Sequence, residues 1–233
     1  MIPYHGHHSA KHFIRNKPDR FGYKMWMMCS ADGYPCNFSN YGGKDENRKL
    51  PLGPQVVMDM WQPVVNKYSR HIFDNFFTSY ALMVDLTKQG FRACGTIREN
   101  RTGKCPLLPK KEIEKKERGS YDYRSDNMVL CARWNDNSIV TDASNYYGVS
   151  PIQKVNRWVK NEGKRRVEQP YLISMYNKGM GGVDVCDKML STYRPRMRSK
   201  KWWWNIFSQL LNLSIVASYR FYQHVNPDSR VTH

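Results

Sequence analysis

The order of apolar and polar positions along the chain predicts short strands interleaved with amphipathic helices. F-G-Y-K-M-W-M-M-C, from Phe21 to Cys29, reads as a buried strand, Asp32-Gly33 as a turn, and Tyr34 to Tyr41 as the returning hairpin partner. Val56, Val57, Met60, Trp61, Val64 and Val65 recur at helical spacing, a pattern that Pro63 breaks or kinks. His71-Ile72-Phe73 is a short apolar strand that ends on Asp74. A helix from Ser79 to Gln89 follows with Gly90 as its stop, and Phe91 to Ile97 is a further strand. An Asp at the carboxyl end of a strand sits where open α/β sheets bind ligands.

The second half changes character. Lys110 to Glu117 is a mixed-charge run, a solvated helix face or loop. Met128 to Trp134 and Ile139 to Ala143 form a hairpin across Asn135-Asp136-Asn137. Lys154 to Arg166 is a basic connector. Gly179, Gly181 and Gly182 let the backbone come close to a ligand, and a helix runs on through Tyr193. Asp184 and Asp187 share one face of that helix, in a first turn that favours negative charge whether or not a ligand is present. Arg194, Arg196, Arg198, Lys200 and Lys201 run into Trp202, Trp203 and Trp204. Basic residues next to aromatic ones suit phosphates and unpaired bases. Equally, Trp202 to Tyr222 is an amphipathic helix burying Ile206, Phe207, Leu210, Leu211, Leu213 and Val216.

Composition narrows the partner. Lys and Arg number 37 against 20 Asp and Glu in 233 residues, a net charge of +17 that predicts a polyanion, nucleic acid foremost. There is no apolar run of about 18 residues and no apolar signal core, so no membrane span is expected, and the expected partners include no membrane. The six cysteines form no C-x-x-C pair and read as free thiols. His5, His7, His8 and His12 lack the i, i+4 spacing of a zinc pair and read as solvated or phosphate-facing imidazoles.

D-N-F-F-T-S from Asp74, G-T-I-R-E-N-R from Gly95 and Y-N-K-G-M-G-G-V-D-V-C-D-K-M from Tyr176 resemble, in order and separation, the piggyBac transposases and the proteins derived from them. The resemblance runs from about Arg20 to Tyr222. It implies an α/β fold, a ribonuclease H-like mixed sheet flanked by helices. Residues 1–98 and 171–233 would be its two parts and residues 99–170 a β-rich insertion with the basic connector. It implies DDE-type chemistry, with Asp74, Asp184 and Asp187 as ligands of Mg²⁺ or Mn²⁺. Arg98, Arg101, Lys164, Arg165, Arg198, Lys200, Lys201 and Trp202 would contact DNA. The family's remaining catalytic Asp belongs to a first strand just ahead of Met1, so the expectation is a core that lacks that strand and is inactive alone. The alternative is a domesticated, non-catalytic DNA-binding protein. Either reading implies a nuclear protein with a DNA partner, a homodimer as one possible assembly, and no small-molecule substrate.

Overall fold

The computed structural model describes residues 1–15, 19–44, 48–66, 68–159, 163–192, 194 and 201–228. The chain forms two compact units. One is Lys49–Met180, and the other joins Met1–Arg48 with Gly181–His233. The sequence suggested divisions near residues 98 and 170 instead.

In the unit that holds both chain ends, β1 (Ile2–Pro3) and β2 (His12–Phe13) pair antiparallel with β3 (Phe21–Tyr23). β4 (Met25–Cys29) and β5 (Pro35–Asn40) make a separate two-stranded hairpin. The single strand expected from Phe21 to Cys29 is thus two, because β3 and β4 take different partners. Gly33, at φ +92°, turns the hairpin in a conformation that a side chain resists.

The other unit opens with α1 (Leu52–Trp61), which stops before Pro63, whose ring and missing N–H cannot continue a helix. Then come β6 (Arg70–Phe73), α2 (Tyr80–Lys88) and β7 (Arg92–Thr96). The side chain of Ser79 caps α2 by accepting from the Leu82 N–H at 3.2 Å. A 3-10 turn at Glu99–Arg101 leads to α3 (Lys110–Ile113), β8 (Tyr121–Ser125), β9 (Leu130–Asn135) and β10 (Ile139–Ser144).

These strands form one mixed five-stranded sheet in the order β6-β7-β10-β9-β8. β6 and β7 are parallel, and the remaining pairs are antiparallel. Within residues 99–170, which the sequence suggested as an insertion, β8, β9 and β10 continue this sheet: β10 pairs directly with β7, Thr96 opposite Asp142. The basic connector is also a hairpin, β11 (Gln153–Val159) with β12 (Gly163–Gln169). Val155 and Val167 face each other across it and join the core, while Lys164, Arg165 and Arg166 are exposed, so the basic run is built into a strand. α4 (Tyr171–Gly179) packs on β7 and β10 through Leu172, Ile173 and Tyr176, against Cys94, Ala132 and Trp134.

The chain returns to the first unit as α5 (Gly182–Thr192) and α6 (Trp204–Val225). Cys186 and Leu190 of α5 bury against Leu213 and Val216 of α6, with Met27 and Cys29 of β4 packed beside them. The buried face of α6 differs from the expected one: Ser208, Gln209, Asn212, Leu213 and Val216 point inward, while Phe207 and Leu211 are exposed. Of the polar members, Asn212 Nδ2 donates to the Leu190 carbonyl at 2.8 Å, whereas the Ser208 hydroxyl has no hydrogen-bond partner among the described residues.

Candidate functional site

Asp74 follows the last residue of β6 and is exposed. Its carbonyl accepts from the N–H groups of Phe77 and Thr78 at 3.1 and 3.3 Å and from the Thr78 hydroxyl at 3.0 Å. Its carboxylate accepts from the Phe76 N–H. The strand thus ends in a tight turn that fixes the acid. Two arginines brace this turn from outside. Arg98 Nε donates to Asn75 Oδ1 at 3.1 Å, and Arg101 Nη1 donates to the carbonyls of Asn75 and Phe76 at 3.3 and 2.6 Å. The sequence offered both only as DNA contacts. A Cβ on Gly95 would stand 2.5 Å from the Phe73 carbonyl oxygen and from Thr78 Oγ1, so glycine is needed where β7 passes the turn.

Behind Asp74 lies a group that sequence reasoning missed. Thr96 of β7 stands opposite Asp142 of β10, and its hydroxyl is 3.4 Å from that of Tyr176 on α4. Burial pushes the Tyr176 hydroxyl up, and the carboxylates of Asp142 and Asp74 add to the effect, which puts Tyr176 within electrostatic reach of both. Asp142 is fully buried, neither carboxylate oxygen has a hydrogen-bond partner among the described residues, and burial pushes its pKa up to about 7. The available signal was V-T-D-A-S, an acid inside a hairpin strand.

Asp184 and Asp187 belong to the other unit, in the first turns of α5, Asp184 exposed and Asp187 half-buried. Gly182, Cys186 and Leu190 form the buried stripe of the helix. Of the glycine entry, Gly182 serves this packing, because a Cβ there would collide with the Ser30 carbonyl, while Gly181 has open space around it. Cys186 and Cys29 contact each other, and that contact, with burial, pushes the Cys29 thiol up.

Of the expected DNA contacts, Lys164 and Arg165 are exposed on β12, with Arg165 3.9 Å from Glu117. Lys201 is exposed, and Trp202 stacks on His8 with ring centroids 4.4 Å apart. Arg198 and Lys200 lie outside the described residues. The donor chemistry of Asp74, Asp184 and Asp187 suits a hard divalent ion. Among the described residues, no three His, Cys, Asp or Glu side chains gather into a metal-holding group.

A family model described as Transposase IS4 matches residues 1–219, which sets the class of protein. Human PiggyBac transposable element-derived protein 3 is 41% identical over 212 residues, spanning 87% of this chain and 36% of that protein. Human PiggyBac transposable element-derived protein 2 is 33% identical over 241 residues, spanning 99% of this chain and 40% of that one. A cryo-EM structure of a piggyBac transposase synaptic complex with hairpin DNA has the same fold, with a TM-score of 0.79 at 23% identity over 99% of this chain and 47% of that one. The chain belongs to the piggyBac group of DDE-type transposases and transposable element-derived proteins. It spans less than half the length of each of them.

Proposed function

We propose that this chain is a DNA-binding, piggyBac-type DDE domain with a ribonuclease H-like core, in which Asp74, Asp184 and Asp187 hold Mg²⁺ or Mn²⁺ for DNA strand cleavage and transfer. The observation that carries this reading is the family match over residues 1–219, which takes in all three carboxylates. Held by these carboxylates, such ions would supply positive charge to activate the attacking oxygen and offset charge on the leaving one. The chain's own residues do the rest. The Asp74 turn presents its carboxylate at a strand end. Arg98 and Arg101 brace that turn and, with Lys164, Arg165, Arg198, Lys200 and Lys201, neutralise phosphates, while Trp202 offers a ring face to an unpaired base. A nuclear location and a homodimer belong to the same proposal.

The test is binding and nicking of a double-stranded piggyBac-like end in Mn²⁺, by the unchanged chain and by Asp74→Asn. The reading expects binding by both and, wherever nicking is seen, its loss in Asp74→Asn. Nicking that survives the substitution contradicts the metal role of Asp74. Binding without nicking by either supports the non-catalytic alternative.

A further inference from the structure

The start of the parallel strand pair carries an alternating stack of rings and cations that none of the roles above uses. Arg70 of β6 pairs in register with Arg92 of β7, so two cationic side chains stand on neighbouring strands. Such strands lie about 4.8 Å apart, and like charges placed directly opposite are destabilising. Neither arginine has an ion-pair partner among the described residues.

Aromatic rings hold them instead. The Arg92 guanidinium lies 4.3 Å from the ring centre of Tyr146 and 5.1 Å from that of Tyr68. That of Arg70 lies 5.7 Å from Tyr146 and 5.9 Å from Tyr147. The ring contacts therefore run Tyr68, Arg92, Tyr146, Arg70, Tyr147. Ring contacts of this kind attract a guanidinium without neutralising it. Tyr68 is 75% exposed and Tyr146 43%, so the stack opens to solvent. Two unneutralised guanidiniums side by side are an anion site, since the guanidinium fork matches phosphate oxygens and the exposed rings offer faces to a base.

We propose that Arg70 and Arg92, with Tyr68 and Tyr146, form a second phosphate-binding surface for a DNA strand, at the opposite end of β6 from Asp74. The separation along the strand is roughly 13 Å, at about 3.3 Å per residue. The inference rests on the DNA-binding reading and adds a surface to it. An acidic peptide is the competing occupant. The chain's excess of 37 basic over 20 acidic residues favours a long polyanion, which meets many sites at once.

The experiment is a salt titration of binding to a mixed-sequence DNA duplex, read by fluorescence anisotropy on the whole chain. It compares the unchanged protein with the Arg70→Gln/Arg92→Gln and Arg70→Lys/Arg92→Lys pairs. The Gln pair lowers the slope of log K against log salt by about 1.8, two phosphate contacts at about 0.9 each. The Lys pair keeps the slope while binding more weakly, because a point charge replaces a fork. An unchanged slope in the Gln pair, with DNA binding intact, overturns the inference and leaves the DNA reading standing. No DNA binding by the unchanged chain overturns both. A loss seen only with a polyglutamate peptide overturns the inference in favour of an acidic protein partner. Should the Gln pair fold poorly, Tyr68→Ala decides: weaker duplex binding supports the surface, and unchanged binding overturns it.

Discussion

Asp142 is an acid in the core of its sheet, with nothing among the described residues to bond it. Its folded pKa of about 7 against an ordinary 3.8 fixes the sign of its pH dependence. Below about pH 3.8 both folded and unfolded chains carry the proton. As pH rises from there, the unfolded chain releases it while the folded chain keeps it, so stability falls until about pH 7 and is then flat. Asp142→Asn removes this dependence. The advantage of the variant over the unchanged chain should grow by roughly 3 kcal/mol between pH 5 and pH 8 in urea unfolding, at about 1.36 kcal/mol per unit up to pH 7. A constant difference across that range would show that Asp142 is not titrating in the core. V-T-D-A-S placed an acid in a hairpin strand, but periodicity does not say whether a polar residue there finds a partner, so the unbonded carboxyl was not legible beforehand.

Among the elements, the strand ending on Asp74, its Ser79-capped helix and the Gly90 stop were readable because cap, turn and apolar run all sit within a few residues of one another. The β11–β12 hairpin and the true buried face of α6 were not. In the first, basic composition masked the two valines that join the core. In the second, Asn212 and Gln209 are inside because neighbours accept or cover them, which is tertiary information. The bracing of the Asp74 turn was hidden for the same reason, as Arg101 lies 25 positions from the Phe76 carbonyl it bonds. Arg101→Ala should cost about 1–2 kcal/mol through the carbonyls it abandons. It should also speed hydrogen exchange at the amides of Phe77 and Thr78, and unchanged exchange there would show that the arginine does not secure the turn. Gly95→Ala should destabilise more, by about 1–3 kcal/mol, because the new methyl meets backbone and a buried hydroxyl. A thermal midpoint equal to that of the unchanged chain would contradict this.

For the molecule as a whole, local patterns gave the order of elements but not their grouping. One unit is assembled from Met1–Arg48 and Gly181–His233, a closure between distant segments that no local period records. Family motifs name Asp74, Asp184 and Asp187 together, where spacing alone offers only a strand-end acid and a helix first turn; Asp74 belongs to one unit and the other two to the other. The central claim is that these carboxylates hold the divalent ion, and Mn²⁺ titration followed by water-proton relaxation tests it without depending on turnover. The account predicts a Mn²⁺ site in the unchanged chain that weakens at least tenfold in Asp74→Asn and likewise in Asp184→Asn, with circular dichroism unaltered. Mn²⁺ affinity that is the same in the unchanged chain and both variants would contradict it.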